Sequence, residues 1–224
     1  TGGGGEGILN GGAVELSHTR VSDNTYPGVA NSGTLTVNQS IIRSNTGGIY
    51  NSPGHTASVS NSTISGNGTG VYNYGSLTLE NSTVSGNTSR GVYAATGEGT
   101  TTIINTTIFE NSHGVDAYST VRVRNSILAG SWDGLDASGT FISEGHNLIE
   151  DGSGQVKLVK DGSGLLTLSG DLDHTGSTTV EEGMLRLSQG VAFPVAGATG
   201  QFGSPHTVTV NDGGTLQLNN NWVM

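Results

Sequence analysis

V-S-N-S-T-I-S-G-N, residues 59–67, decides the fold because the chain repeats it. It returns as L-E-N-S-T-V-S-G-N at 79–87 and I-I-N-T-T-I-F-E-N at 103–111, with looser copies at 16–24, 37–45 and 123–131. The core hydrophobic residue of successive copies is Val21, Ile42, Ile64, Val84, Ile108 and Leu128, so the steps are 21, 22, 20, 24 and 20 residues. One strand-like core per short repeat is the pattern of a β-solenoid, in which each coil buries its apolar side only by stacking on the next.

Outward from that stretch, each coil reads as three short strands joined by turns. The first alternates, as in Leu35-Thr36-Val37, Leu77-Thr78-Leu79 and Val121-Arg122-Val123. Period two puts Leu and Val inside and Thr or Arg outside. The second strand is the N-S-T-I piece. The third follows a glycine: Gly48-Ile49-Tyr50, Gly70-Val71-Tyr72, Gly91-Val92-Tyr93, Gly114-Val115-Asp116 and Gly134-Leu135-Asp136. The glycine is expected to supply the positive φ of a sharp corner. Stacking then predicts three interior columns: Leu16/Val37/Val59/Leu79/Ile103/Val123, Val21/Ile42/Ile64/Val84/Ile108/Leu128 and Val29/Ile49/Val71/Val92/Val115/Leu135.

Two amide columns follow from the same register. Asn61, Asn81, Asn105 and Asn125 align, preceded by His18 and Gln39; Asn24, Asn45, Asn67, Asn87 and Asn111 form the other. Stacked amides can hydrogen-bond from coil to coil as a ladder. Asn also accepts the left-handed backbone of turns. Both are structural roles.

Composition fits a thin-cored rod. Glycine is 38 of 224 residues and only 12% are charged, which in an unordered chain would indicate a linker. The fixed places of Val, Ile and Leu argue for order instead. The net charge of −10, with 8 Lys plus Arg and no basic run, disfavours nucleic acid, whose phosphates would be repelled. The chain has no cysteine, which excludes disulfides and thiolate metal sites. No apolar run is long enough to span a membrane. No signal peptide opens at Thr1, and the chain reads as a segment of a larger secreted protein or a processed product.

The pattern changes after Gly139. L-V-K-D-G-S-G-L-L-T-L-S-G at 158–170 is followed by T-G-S-T-T-V-E-E-G-M-L-R-L at 175–187, and Thr207–Leu218 is a degenerate echo. Residues 158–187 closely resemble the autotransporter-associated β-strand repeat. They depart from it at Asp171-Leu172-Asp173-His174, where that family more often has Asn and an aromatic. Residues 11–150 more loosely resemble the right-handed β-helix repeats of large bacterial surface proteins, including polymorphic outer-membrane proteins. The resemblance implies a right-handed, single-stranded parallel β-helix, exported as the passenger of an autotransporter-like protein. Passengers include adhesins, proteases and spacers, so it leaves the activity open.

Four constellations are candidates for chemistry. Asp116 and Asp136 are expected to stack in adjacent coils, close enough for acid–base work on a polysaccharide, or to be two turn carboxylates. Asp171, Asp173 and Glu182 have the spacing of a calcium loop, although Thr175 replaces an expected ligand and the flanks are strands. Thr34, Thr56 and Thr100 align with Ser76, Thr120 and Thr140, and Thr36, Thr78 and Thr102 with Ser58, until Arg122 interrupts. Such hydroxyl columns resemble ice-binding arrays, or reflect the strand preference of Thr. Tyr50, Tyr72 and Tyr93 form an aromatic column that would stack on sugar rings or on itself. The six His are scattered and no nucleophile elbow is present, so a serine triad is unsupported.

The expected protein is all-β, with roughly ten coils of about 20–24 residues. It is one continuous solenoid over 1–224, with Asn/Ser/Thr-rich coils at 11–150 and passenger-repeat coils at 151–224. The expected function is non-enzymatic: an extracellular, adhesin-type segment on the bacterial outer-membrane surface, displaying a Ser/Thr/Asn-rich face to a surface glycan or protein. A filament built by head-to-tail stacking of solenoid ends, and a polysaccharide-acting enzyme, are the alternatives. No cofactor is required; calcium enters only through the 171–182 loop.

Overall fold

A computed structural model describes residues 5–97, 99–149, 157–160, 163–168, 178–187 and 208–218. Every strand pairing among the described residues is parallel, as expected when each coil lies on its predecessor. The described residues contain strands and turns and no helix. Three strand positions recur per coil and make three faces. The first holds Pro27–Asn31, Gly47–Asn51, Thr69–Asn73 and Arg90–Ala94. The second holds Thr34–Asn38, Thr56–Ser60, Ser76–Glu80 and Thr101–Ile104. The third holds Ile41–Arg43, Thr63–Ser65, Thr83–Ser85 and Thr107–Phe109, in a sheet of 10 strands.

The stacking register explains the repeat length. Val21, Ile42, Ile64, Val84, Ile108 and Leu128 are directly opposed, and so are Leu16, Val37, Val59, Leu79, Ile103 and Val123. All are buried, forming one core along the axis. The third column runs Val29, Ile49, Val71, Val92, Val115 and then Ala137, not Leu135. Gly134 matched the corner pattern, but it serves another purpose. A Cβ there would lie 2.1 Å from His113 Cδ2, so Gly134 makes room for the imidazole and the strand begins later.

Corners are where a solenoid risks unpaired backbone groups, since the ladder of sheet bonds is interrupted there. A polar ladder solves each one. Between the third and first faces, Asn24, Asn45, Asn67, Asn87 and Asn111 pass an amide bond from Nδ2 to the next Oδ1 at 2.8, 3.0, 3.2 and 2.8 Å. The backbone N–H groups of the first four donate to the same oxygens. Between the first and second faces, Asn10, Asn31, Asn51 and Asn73 do likewise at 2.7, 2.7 and 2.8 Å, and Asn73 ends on Thr101 Oγ1 at 2.9 Å. Between the second and third faces, Ser40, Ser62, Ser82, Thr106 and Ser126 accept from a backbone N–H one coil earlier. Each of these hydroxyls donates back to the carbonyl two residues before it.

The amide column Asn61, Asn81, Asn105 and Asn125 is different. All four are exposed with φ of 48–50°, as are His18 and Gln39 at 51° and 48°. They are left-handed turn residues, and one link, Asn105 Nδ2 to Asn81 Oδ1 at 3.1 Å, joins neighbours within the column. The corner glycines also need correction. Gly48, Gly70, Gly91 and Gly114 do not have positive φ. A Cβ on Gly48 would lie 2.2 Å from Gly70 O, and on Gly70 2.5 Å from Gly91 O. Glycine is required because adjacent coils touch there through backbone.

The solenoid continues into the second half. Lys157–Lys160 pairs with Ala137–Ser143, and Leu165–Leu168 with Asn147–Ile149. In this region Lys160 enters the column that holds Val123 and Ser143, and it is fully buried. Its Nζ donates to Glu182 O at 3.1 Å, since a buried ammonium needs such partners.

Candidate functional site

Strand alternation sends Tyr50, Tyr72 and Tyr93 outward from the first face, directly opposed in successive coils. Tyr74, in the turn after Thr69–Asn73, and Tyr118 lie two residues beyond that column, and their rings pack on Tyr50 and Tyr93. The five rings form one continuous strip. Centroids are 6.2 Å apart for Tyr50 and Tyr72, 5.3 Å for Tyr50 and Tyr74, 6.0 Å for Tyr72 and Tyr93, 6.0 Å for Tyr74 and Tyr93, and 5.3 Å for Tyr93 and Tyr118. Interplanar angles of 38–59° are tilted geometries of the kind aromatic pairs favour. Four rings are half-buried against each other; Tyr118 is 58% exposed. The sequence column contained three of them. Tyr74 and Tyr118 were legible from their i+2 spacing.

Arg90 and Asp116 close one end of the strip. Asp116 follows Tyr93 in the column, and its Oδ2 accepts from Arg90 Nε while its Oδ1 accepts from Ser138 Oγ at 2.9 Å. The guanidinium carbon sits 5.4 Å from the Tyr93 centroid, a cation–π contact. Partial burial alone would lower the Arg90 pKa, but the hydrogen bond and charge of Asp116 outweigh it and hold it above the usual arginine range. Burial, with Tyr74 and Tyr118 nearby, raises the Tyr93 hydroxyl above the ordinary tyrosine value.

Beside the strip runs a groove of ≈ 320 Å³ lined by Pro53, Gly54, Tyr74, Ser76, Thr96 and Gly97. Tyr74 is therefore a wall shared by groove and strip. A wider, open trough of ≈ 570 Å³ follows the corner above the buried Asn24–Asn45–Asn67 ladder, with Thr25, Thr46 and Thr88 among its lining.

The threonine columns lie on the second face. Thr34 and Thr56 are opposed and Thr56 opposes Ser76, while Thr36, Ser58, Thr78 and Thr102 form the parallel column. Thr34, Thr56 and Thr100 are exposed; Thr36, Thr78 and Thr102 are half-buried. Arg122 and Ile142 continue the inner column, and Glu15 precedes it, so the hydroxyl array is bounded at both ends. Arg122 pairs with Glu144 at 3.1 Å. The two faces merge in the 12-residue strand His113–Arg124, where Tyr118 lies between the part paired with the first face and the part paired with the second.

Asp136 does not stack on Asp116. Asp116 opposes Ser138, and Asp136 lies beside Gly114, two residues away in register. Asp136 is buried, and its Oδ1 accepts from Ser131 N at 2.8 Å. The two carboxylates thus occupy separate surroundings, one bound to Arg90 and one to backbone. Of the calcium loop, Asp171 and Asp173 lie outside the described residues, and Glu182 is exposed with its carbonyl engaged by Lys160.

Fold and site together define a parallel β-solenoid whose corners are sealed by polar ladders and whose first face carries a tyrosine strip. The family described as right handed beta helix region matches residues 1–131, more than half of the chain, and the chain belongs to that family. A second family, the passenger-associated-transport-repeat, matches residues 158–187. The two matches and the fold fit an autotransporter passenger segment. No curated protein and no solved structure matched the chain.

Proposed function

We propose that this chain is a non-enzymatic, adhesin-type segment of an autotransporter passenger, displayed outside the cell as a stiff rod with Ser-, Thr- and Asn-rich faces. The observation that carries the reading is that the strands of residues 158–187, which match the passenger repeat, continue the same stack as the Asn-rich coils. A rod of nearest-neighbour coils holds its outward residues at fixed spacing without a ligand. The separation of Asp116 from Asp136, and the engagement of Asp116 by Arg90, favour display over acid–base catalysis.

The test is to express the full-length polypeptide in a Gram-negative host. Intact cells are probed with antibody to residues 11–150 and with external protease. Labelling and cleavage on intact cells are expected; retention inside the envelope would reject the reading. Release of reducing ends from polysaccharides by the purified chain would reject the non-enzymatic part.

A further inference from the structure

We infer that the tyrosine strip and its adjoining groove form a binding site for a linear, uncharged, β-linked hexopyranose chain lying parallel to the solenoid axis. The inference deepens the display reading and rests on it only in placing the glycan outside the cell. Tyr50, Tyr72, Tyr74, Tyr93 and Tyr118 give five contiguous rings at 5.3–6.2 Å. The exposed part of each ring offers apolar carbons to the C–H side of a sugar ring and a hydroxyl to its rim. Isolated apolar residues on a surface need no explanation, but a continuous aromatic strip does.

Charge selects the class of ligand. Among the described residues, the charged groups that act on the strip are Arg90 and Asp116, and they neutralise each other. No free cation remains there for uronate or sulfate groups, and the chain's net charge of −10 repels polyanions. A basic peptide would have to displace Arg90 from its existing position over Tyr93. A neutral chain faces neither obstacle.

Shape selects linkage and direction. Coils repeat at about 4.8 Å along the axis, close to the advance of one pyranose in an extended β-linked chain, so each coil offers one subsite. The groove lies along the same line. Its Ser76 and Thr96 hydroxyls stand at the strip's edge, and Gly54 and Gly97, where an added Cβ would meet nothing within 4 Å and only Tyr74 O at 4.0 Å respectively, leave it wide. Its volume of ≈ 320 Å³ falls at the lower end of the ~300–1,000 Å³ typical of ligand sites.

Isothermal titration calorimetry of the full chain with cellobiose, cellotetraose, cellohexaose and chitohexaose tests this. Affinity should rise about tenfold from disaccharide to tetrasaccharide, one unit of ~1.4 kcal/mol, and change little beyond it as the strip is exhausted. Tyr74→Ala should weaken binding at least about fivefold and Tyr118→Ala, which removes the most exposed ring of the strip, should do the same; Tyr93→Phe should stay within about twofold because it retains the ring. Trp132→Ala, at the other edge of the first face, should leave binding unchanged. No heat with any of these oligomers, binding insensitive to Tyr74→Ala and Tyr118→Ala, or tighter and salt-dependent binding of polygalacturonate or oligolysine would overturn the inference. Cells that display the chain and bind no oligomer sink this inference alone. Binding by a chain that stays inside the envelope sinks the display reading alone.

Discussion

At the scale of single residues, the repeat V-S-N-S-T-I-S-G-N can be read one side chain at a time. Asn61 takes the left-handed turn, Ser62 the hydroxyl ladder, Ile64 the core, Gly66 a second left-handed turn at φ 63° and Asn67 the amide ladder. Where other copies place Asp23, Ser44 or Glu110 at the Gly66 position, φ is 64°, 54° and 51°. A left-handed residue with a Cβ costs about 1–2 kcal/mol, partly offset by the greater unfolded-state entropy of glycine. Glu110→Gly should therefore stabilise the chain by about 0.5–1 kcal/mol, read as a higher urea midpoint with an unchanged slope. Gly48 lies under the opposite constraint. Gly48→Ala would press a methyl to 2.2 Å from Gly70 O and 2.9 Å from Ile64 Cγ2. Relieving that overlap should cost at least about 1–3 kcal/mol, measured in the same urea experiment.

At the scale of elements, the ladders matter more than any strand, since strands of three to five residues need something to fix their ends. Asn67→Ala removes an acceptor for both the backbone N–H and the side-chain amide of Asn45, in a buried corner. Leaving buried donors unsatisfied costs about 1–3 kcal/mol each, so a loss of about 2–6 kcal/mol is expected. Asn61→Ala, exposed and outside a ladder, should lose only about 1 kcal/mol, from its left-handed backbone. Thermal melts of the two variants should differ accordingly; equal losses would mean the buried ladder is not what holds the corner. The strands were legible in the sequence because alternation and register both speak through apolar residues. The roles of the two Asn columns were not, because a buried ladder and an exposed left-handed turn select the same residue type. The Asn10–Asn31–Asn51–Asn73 ladder escaped because its members follow Ala, Tyr or Leu in strands of variable sequence and lie outside the repeated stretch. The site was half legible. The Tyr50/Tyr72/Tyr93 column follows from period two, whereas the pairing of Asp116 with Arg90, 26 residues earlier, depends on the coil stacking itself.

At the scale of the whole molecule, a solenoid is a one-dimensional stack in which each coil meets only its neighbours. Its length should then be adjustable by whole coils and by nothing less. Deleting residues 63–82 joins Ser62 to Thr83, which already opposes Thr63 in the stack. Ile42 would then rest on Val84, Ile49 on Val92 and Val59 on Ile103, keeping those three interior columns apolar. Asn45 would meet Asn87, and Ser62 would meet Thr106. Thr101, which receives the last amide from Asn73, would receive it from Asn51. Removing 20 residues at roughly 0.05–0.15 kcal/mol each predicts a loss of about 1–3 kcal/mol with cooperative unfolding kept. The urea slope should fall in proportion to the surface removed. Deleting only 63–72 removes half a coil. It would send the second-face strand Ser76–Glu80 onto the turn after Ser62, putting Leu77 and Leu79 out of register with Ala57 and Val59, which they now oppose. That variant should not give a cooperative transition by circular dichroism. If it folds as well as the whole-coil deletion, register is not what makes this chain a solenoid.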